Sequence, residues 1–311
     1  MHGAMPLIAA RAIRRLALLD RAYSALSALR SELVLALASD ATLDAYNDLV
    51  YGVSPFYRQE GPVVHRGLFR WEAKAVASFF PRPPARVLVG GAGAGREPLA
   101  LAQMGYSVVA FEAAPALAAR MASNAMAMPG VEPYQGRYEE LPQLRAAAPG
   151  LSSADLEEMP QFDAGMLGWG SFSHIRTQEL RIATLAAFAR VVRGPLLVSF
   201  LALPDTPGAC SGSARIRRLL PSRRHRYPGD AFHMHAGFCH YVSERELLTV
   251  AAAAGLKPVH VSIYVGPAYQ GDDVDYPHAV LMPYLPPDGG ESPNGNRSTN
   301  AEGGAPPAAC A

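Results

Sequence analysis

Cysteine is scarce in this chain of 311 residues: only Cys210, Cys239 and Cys310 occur. Their odd number and wide spacing argue against a disulfide framework and suit a reducing compartment. A long apolar run is also missing. Arginines and an apolar stretch near the N-terminus raise the question of a signal peptide, but Asp20, Arg21, Arg30 and Glu32 interrupt it. The unbroken "LVLALA" is too short for a signal core or a membrane span. Charge of one sign is lacking as well, since 28 basic against 27 acidic residues leave a net +1. Nothing global therefore points to nucleic acid or an anionic membrane as partner. Basic residues gather only locally, at Arg215, Arg217, Arg218, Arg223, Arg224 and Arg226, as a solvated loop or an anionic-ligand patch. The expected location is the cytoplasm.

What is present is an ordinary globular composition, 50% hydrophobic and 18% charged, enough for a sizeable core. Leu16, Leu19, Tyr23, Leu26, Leu29, Leu33 and Leu37 recur every three or four residues, one apolar stripe on a long helix over 7 to about 38. Such a helix is expected to pack on its own domain. A lid or a partner-binding helix is the alternative, and dimerisation stays open. "PRPPA" ends a helix containing "WEAKAVASFF". Strand-like and helix-like segments then alternate: "RVLVG", "REPLALAQM", "SVVAFE", "PALAARMASNAMAM", a weak strand at "VEPYQG", "FDAGMLG", "TQELRIATLAAFARVV" and "PLLVSFL". That rhythm predicts a parallel sheet with helices on both faces. "SERELLTVAAAAGL" opens with a Ser243/Glu246 capping box and stops at Gly255. The strands "KPVHVSIYVG" and "HAVLMPYL" that follow pair most simply as antiparallel neighbours. From Pro286 on, periodicity vanishes and a disordered tail is expected.

The segment "VLVGGAGAGREP", residues 87–98, puts four glycines into six positions. Each costs backbone entropy, and a mere turn needs one or two. In an open α/β sheet the first strand-to-helix turn contacts a phosphate or nucleotide. Gly91, Ala92, Gly93, Ala94 and Gly95 would form that turn. The dinucleotide pattern G-x-G-x-x-G wants a third glycine where Arg96 stands, so the pattern here is G-x-G-x-G. Glu112 ends the next strand, about 20 residues on, where an acid accepts hydrogen bonds from ribose hydroxyls. The two signals together indicate an adenosine-type ligand.

"VLVGGAGAGREPLALAQMGYSVVAFEAAPALAARMASNA" resembles the first motif and its continuation in class I S-adenosylmethionine (SAM)-dependent methyltransferases. "GRYEELP" and "FDAGMLGWGSFSHI" are similar to the segments around their third and fourth strands, and the closing helix–strand–strand order matches theirs. The resemblance covers roughly residues 60 to 285. It implies an α/β fold with a seven-stranded, mostly parallel, doubly wound sheet whose last strand is antiparallel, binding SAM. It also implies roles: Gly91, Gly93 and Gly95 under the methionine and ribose, Glu112 on the ribose hydroxyls, Glu139 and Glu140 near the adenine amine, and Gly168, Trp169 and Gly170 beside the sulfonium. Two positions depart from the family. Val89 stands where an acidic residue is common, and Arg137 replaces an acid after the third strand.

Methyl transfer mainly requires alignment of the nucleophile, and a hydroxyl acceptor also needs a base. His233, His235 and His240 cluster with Asp230, Cys239 and Tyr241. His240 or His235 is a candidate base; a metal site and a polar surface loop are the other readings, and no metal is assigned. His174 is a third candidate, with core packing as its alternative. Ser171 and Ser173 lack the G-x-S-x-G elbow of hydrolases. Tyr57 and Trp71 could cover a cofactor or pack in the core. The expected organisation is an N-terminal helical cap (1–70), a SAM-binding domain (71–285) with a substrate-side insertion (204–242), and the tail (286–311). The leading reading is methyl transfer to oxygen or nitrogen of a small-molecule acceptor. A non-catalytic SAM- or nucleotide-binding module and a nicotinamide-dependent oxidoreductase are the rivals.

Overall fold

The computed structural model describes residues 7–57, 63–141, 143–146, 154–155, 162–203, 227–263 and 269–284. The arginine cluster at 215–226, the first part of the 204–242 insertion and the 286–311 tail lie outside the described residues.

The chain opens with two helices, α1 (Leu7–Leu37) and α2 (Asp40–Val53), then a 3-10 turn at Pro55–Tyr57 and α3 (Arg70–Phe79). Ser39 starts α2 by accepting the Thr42 N–H through its hydroxyl. Alternation follows as β1 (Arg86–Gly90), α4 (Arg96–Gln103), β2 (Ser107–Glu112), α5 (Pro115–Ala125) and β3 (Val131–Gln135). After the short edge strands β4 (Gln143–Ala146) and β5 (Ala154–Asp155) come β6 (Ala164–Leu167), α6 (Gln178–Val191), β7 (Leu196–Ser199) and β8 (Leu201–Ala202). A hairpin of β9 (Asp230–His233) and β10 (Gly237–Val242) leads into α7 (Glu244–Ala253), β11 (Leu256–Ser262) and β12 (His278–Pro283).

The large sheet runs β11-β12-β7-β6-β1-β2-β3-β4-β5. Its seven principal strands are β11 to β3; β12 alone runs against them, antiparallel to both β7 and β11. The expected seven-stranded doubly wound sheet is therefore present, with β4 and β5 extending one edge and a separate small sheet, β8-β10-β9, that pattern reading did not separate. Central strands read as continuous apolar runs because both faces are covered. Val87 and Val89 face one core with Trp71, Val76 and Met121, while Leu88 faces the other with Phe111, Leu185 and Phe188.

Chain direction places the site. From β1 the sheet grows through β2 and β3 on one side, then the chain returns to lay β6 and β7 on the other. The switch point falls between β1 and β6, and a crevice opens there beyond the strands' carboxyl ends.

Candidate functional site

Gly90 ends β1 in register with Phe111 on one side and Leu167 on the other, so the loops after β1, β2 and β6 meet. The β1 loop is pinned by Ala92 N–H donating to the Phe111 carbonyl at 3.1 Å. Gly91 and Gly93 both take left-handed φ, +64° and +56°. Their reasons differ. A Cβ on Gly91 would sit 2.5 Å from Ser171 Cβ and 2.6 Å from the Tyr138 hydroxyl. At Gly93 the nearest atom would be a Tyr57 ring carbon at 3.6 Å, so backbone conformation alone selects glycine.

Glu112, at the tip of β2, accepts the Gly93 N–H at 2.8 Å on one carboxylate oxygen and the Ala114 N–H at 2.9 Å on the other. Burial raises its pKa against the pull of these N–H groups. The Ala113 N–H also bonds to this carboxylate, and a carboxylate has about four acceptor positions, so room for a further donor remains. The group lines a cavity of about 150 Å³ rather than facing bulk solvent. Gly91, Ala92, Gly93, Leu117, Tyr138, Glu139, Trp169, Ser171 and His174 share that lining. Tyr57 does too, whereas Trp71 packs in the core against Tyr276.

Arg96, the residue that breaks the dinucleotide pattern, is 4% exposed. Its guanidinium forks onto Glu72 at 2.6 and 2.7 Å and reaches Glu97 at 2.6 Å, beneath the Phe69 ring at 4.0 Å. This cluster ties α3 to the start of α4 and so holds the end of the glycine loop. Burial raises the Glu72 carboxyl pKa, and pairing with Arg96 opposes it. Glu97 also accepts the Trp169 main-chain N–H at 3.0 Å. The Trp169 indole N–H is buried without a hydrogen-bond partner beside the cavity.

The facing wall comes from α2. Asn47 clamps β10 by accepting the Phe238 N–H at 2.8 Å and donating to its carbonyl at 3.2 Å. The same carbonyl accepts from His174 Nδ1 at 2.8 Å. A carbonyl only accepts, so Nδ1 carries the proton and Nε2 is left to receive the Tyr51 hydroxyl, at 2.8 Å. Burial lowers the His174 pKa and keeps the ring neutral. Arg137 pairs with Asp48, and Arg176 with Asp44 and, at 3.8 Å, with Glu139. Burial raises the Asp48 pKa despite Arg137.

The structure corrects several sequence expectations. His240 is fully buried away from the cavity, held by Asp230 at 2.8 Å and Glu246 at 2.9 Å. Burial would lower its pKa, but these two carboxylates outweigh it and raise the value. A ring so bracketed has no nitrogen left for an acceptor molecule. His235 is exposed at the tip of the β9–β10 hairpin and does not line the cavity. Glu140 caps the Arg137 N–H at 3.0 Å and stands exposed outside the lining, unlike Glu139. Gly95 begins α4 and packs on Met121, and Gly168 packs on the Gly91 carbonyl; both shape the loops without lining the cavity. Ser173 is buried and accepts the Leu201 N–H. Among the described residues no group of three or more His, Cys, Asp or Glu side chains is placed to hold a metal ion. No described helix is long and apolar enough to cross a membrane.

Asn47, Tyr51 and Glu72 were not anticipated as site or supporting residues. Asp44, Asn47, Asp48 and Tyr51 recur every three or four positions, which marks one polar helix face and was the available signal.

The glycine-lined crevice at the switch point of an open doubly wound sheet is the place where α/β proteins of this architecture hold ligands. No protein-family model matches the chain, and no curated protein matches it in sequence. Solved structures similar to it include methyltransferases. The CcbJ methyltransferase from Streptomyces caelestis is 18% identical, with a TM-score of 0.48 over 77% of this chain and 98% of that one. A SAM-dependent methyltransferase from Methanosarcina mazei is 14% identical, with a TM-score of 0.48 over 71% and 100%. Magnesium protoporphyrin IX methyltransferase from Synechocystis with bound SAM is 13% identical, with a TM-score of 0.46 over 79% and 99%. At such identities the likeness is at most one of fold.

Proposed function

We propose that this chain is a SAM-dependent methyltransferase whose acceptor is a small molecule. The observation that carries the reading is Glu112, a buried carboxylate at the second strand tip with acceptor capacity facing the cavity beside a main-chain cradle. The residues fit the cofactor. Glu112 would accept a ribose hydroxyl over Gly91 and Gly93. The orphaned Trp169 indole N–H would donate to the methionine carboxylate. Val89 is apolar and fully buried, so the ammonium group needs another acid, and Glu97 lines the same cavity. Bound SAM supplies a methyl group on a sulfonium, already activated for in-line displacement.

The protein then has to exclude water, orient the acceptor and take its proton. α2 and Tyr57 form the wall opposite the glycine loop, which supports the 1–70 segment as a cap on the 71–285 domain. For a hydroxyl acceptor, His174 is the base. Its neutral Nε2 already receives the Tyr51 hydroxyl, so the acceptor's proton passes to the Tyr51 oxygen as the Tyr51 proton passes to His174. Oxygen is therefore the favoured acceptor atom.

Glu112→Ala removes a charge-assisted hydrogen bond of about 1.5–3 kcal/mol, so calorimetric titration with SAM is expected to show affinity weakened at least tenfold. Unchanged affinity overturns the assignment. Release of S-adenosylhomocysteine in the presence of phenols, sugars and amines identifies the acceptor class. A protein that binds SAM tightly yet releases none with any acceptor is a binding module instead.

A further inference from the structure

The apolar stripe of α1 does not pack on its own domain. The helix is anchored only toward its C-terminal end, where Glu32, Leu35 and Ala36 are buried against the body. Residues 12–26 are exposed on every face. Leu16, Leu19, Tyr23 and Leu26 are 61–70% exposed, and Leu29, Leu33 and Leu37 continue the stripe on the side away from the body. A 15-residue helix without tertiary support is marginal in water, so this arm needs a partner.

Its pattern specifies one. Leu16, Tyr23, Arg30 and Leu37 fall at one core position of a heptad, and Leu19, Leu26 and Leu33 at the other. The exposed stripe offers on the order of 600 Å² per copy, close to the ~800 Å² each partner buries in a stable interface. The charges choose the direction. A parallel, in-register pair would set Arg30 against Arg30 of the second copy. An antiparallel pair with Leu16 opposite Leu33 and Tyr23 opposite Leu26 keeps the whole stripe in contact. It also places Arg30 next to Leu19 and Asp20 of the other chain, and Asp20 is the acid bordering the arm's stripe. Each free arm then lies over the body-anchored half of its partner's helix.

We propose that α1 is a dimerisation arm that pairs antiparallel with α1 of a second copy of this chain. The full-length protein in sedimentation-velocity runs at micromolar concentration is expected at twice the 33.1 kDa chain mass. The double variant Leu19→Glu/Leu26→Glu, altering exposed side chains only, is expected to run as a monomer with unchanged SAM affinity. Arg30→Asp is expected to weaken the dimer roughly tenfold by like-charge repulsion with Asp20, and Asp20→Arg added to it is expected to restore the dimer. A monomeric wild type overturns the proposal, including one that binds anionic phosphatidylserine vesicles through the arm instead. A dimer indifferent to Leu19→Glu/Leu26→Glu overturns it too, and failure of the charge exchange to restore pairing overturns the antiparallel register.

Discussion

Removing Glu72 tests the buried ion cluster that holds the glycine loop. The carboxylate is 0% exposed and satisfies three donors: both Arg96 guanidinium nitrogens and the Phe69 N–H at 2.7 Å. In Glu72→Ala, Arg96 stays buried with Glu97 as its remaining carboxylate, and the Phe69 N–H loses its acceptor. Breaking a buried pair from one side costs about 3–5 kcal/mol, and an orphaned buried donor about 1–3 kcal/mol. These overlap, because Glu97 retains part of the Arg96 charge pairing, so a net loss of about 3–5 kcal/mol is expected. Against the 5–15 kcal/mol typical of a domain, that is a large change in a urea unfolding curve. Trp71 and Trp169 flank this region and provide the fluorescence signal. Changing Arg96 as well, in Glu72→Ala/Arg96→Met, strands no cation but leaves the buried Glu97 carboxylate without its partner cation, so only part of the loss is expected to return. SAM affinity is expected to fall in the single variant, because Arg96 begins the helix that follows the loop. A loss under about 1 kcal/mol in Glu72→Ala, well below the cost of stranding one partner of a buried ion pair, refutes the view that this cluster fixes the site.

Two further outcomes follow from the geometry. Gly91→Ala combines left-handed strain of about 1–3 kcal/mol with collisions against Ser171 and Tyr138, whereas Gly93→Ala has the strain alone; thermal unfolding and SAM titration should rank Gly91→Ala clearly worse, and equal effects contradict the packing described. His240 has a raised folded pKa, so the stability it contributes is complete below the ordinary histidine value of about 6.5 and is lost as pH rises through the raised value. Unfolding free energy measured across that window should fall with pH in the wild type and flatten in His240→Gln; identical slopes count against the Asp230–His240–Glu246 bridge.

Much of the fold was legible because it is written in local pattern. Apolar runs of four to six residues bounded by glycine, alternating with helical periodicity, leave few arrangements other than a doubly wound sheet. The closing hairpin was readable from two consecutive strands with no helix between them. Gly91, Gly93 and Glu112 were readable because a left-handed turn and a strand-end acid have fixed sequence offsets from the first strand. The histidines were harder. His174, His235 and His240 are alike as letters, and proximity in sequence made the 233–240 group look concerted.

Packing in three dimensions separated them. β10 turns His240 inward between Asp230 and Glu246, leaves His235 at a hairpin tip, and sends the Phe238 carbonyl to fix the tautomer of His174 far away in sequence. Likewise, no local rule foretells that Arg96 meets Glu72, or that α2 delivers Tyr51 to the cavity wall, because those pairings depend on how helices dock after the sheet has formed. The sheet, the glycine cradle and the strand-end carboxylate were already set by residue order, since each follows from backbone sterics and short-range periodicity. Which polar side chains face one another across the crevice, and which apolar stripe is left without a neighbour, depends on long-range docking that residue order does not display.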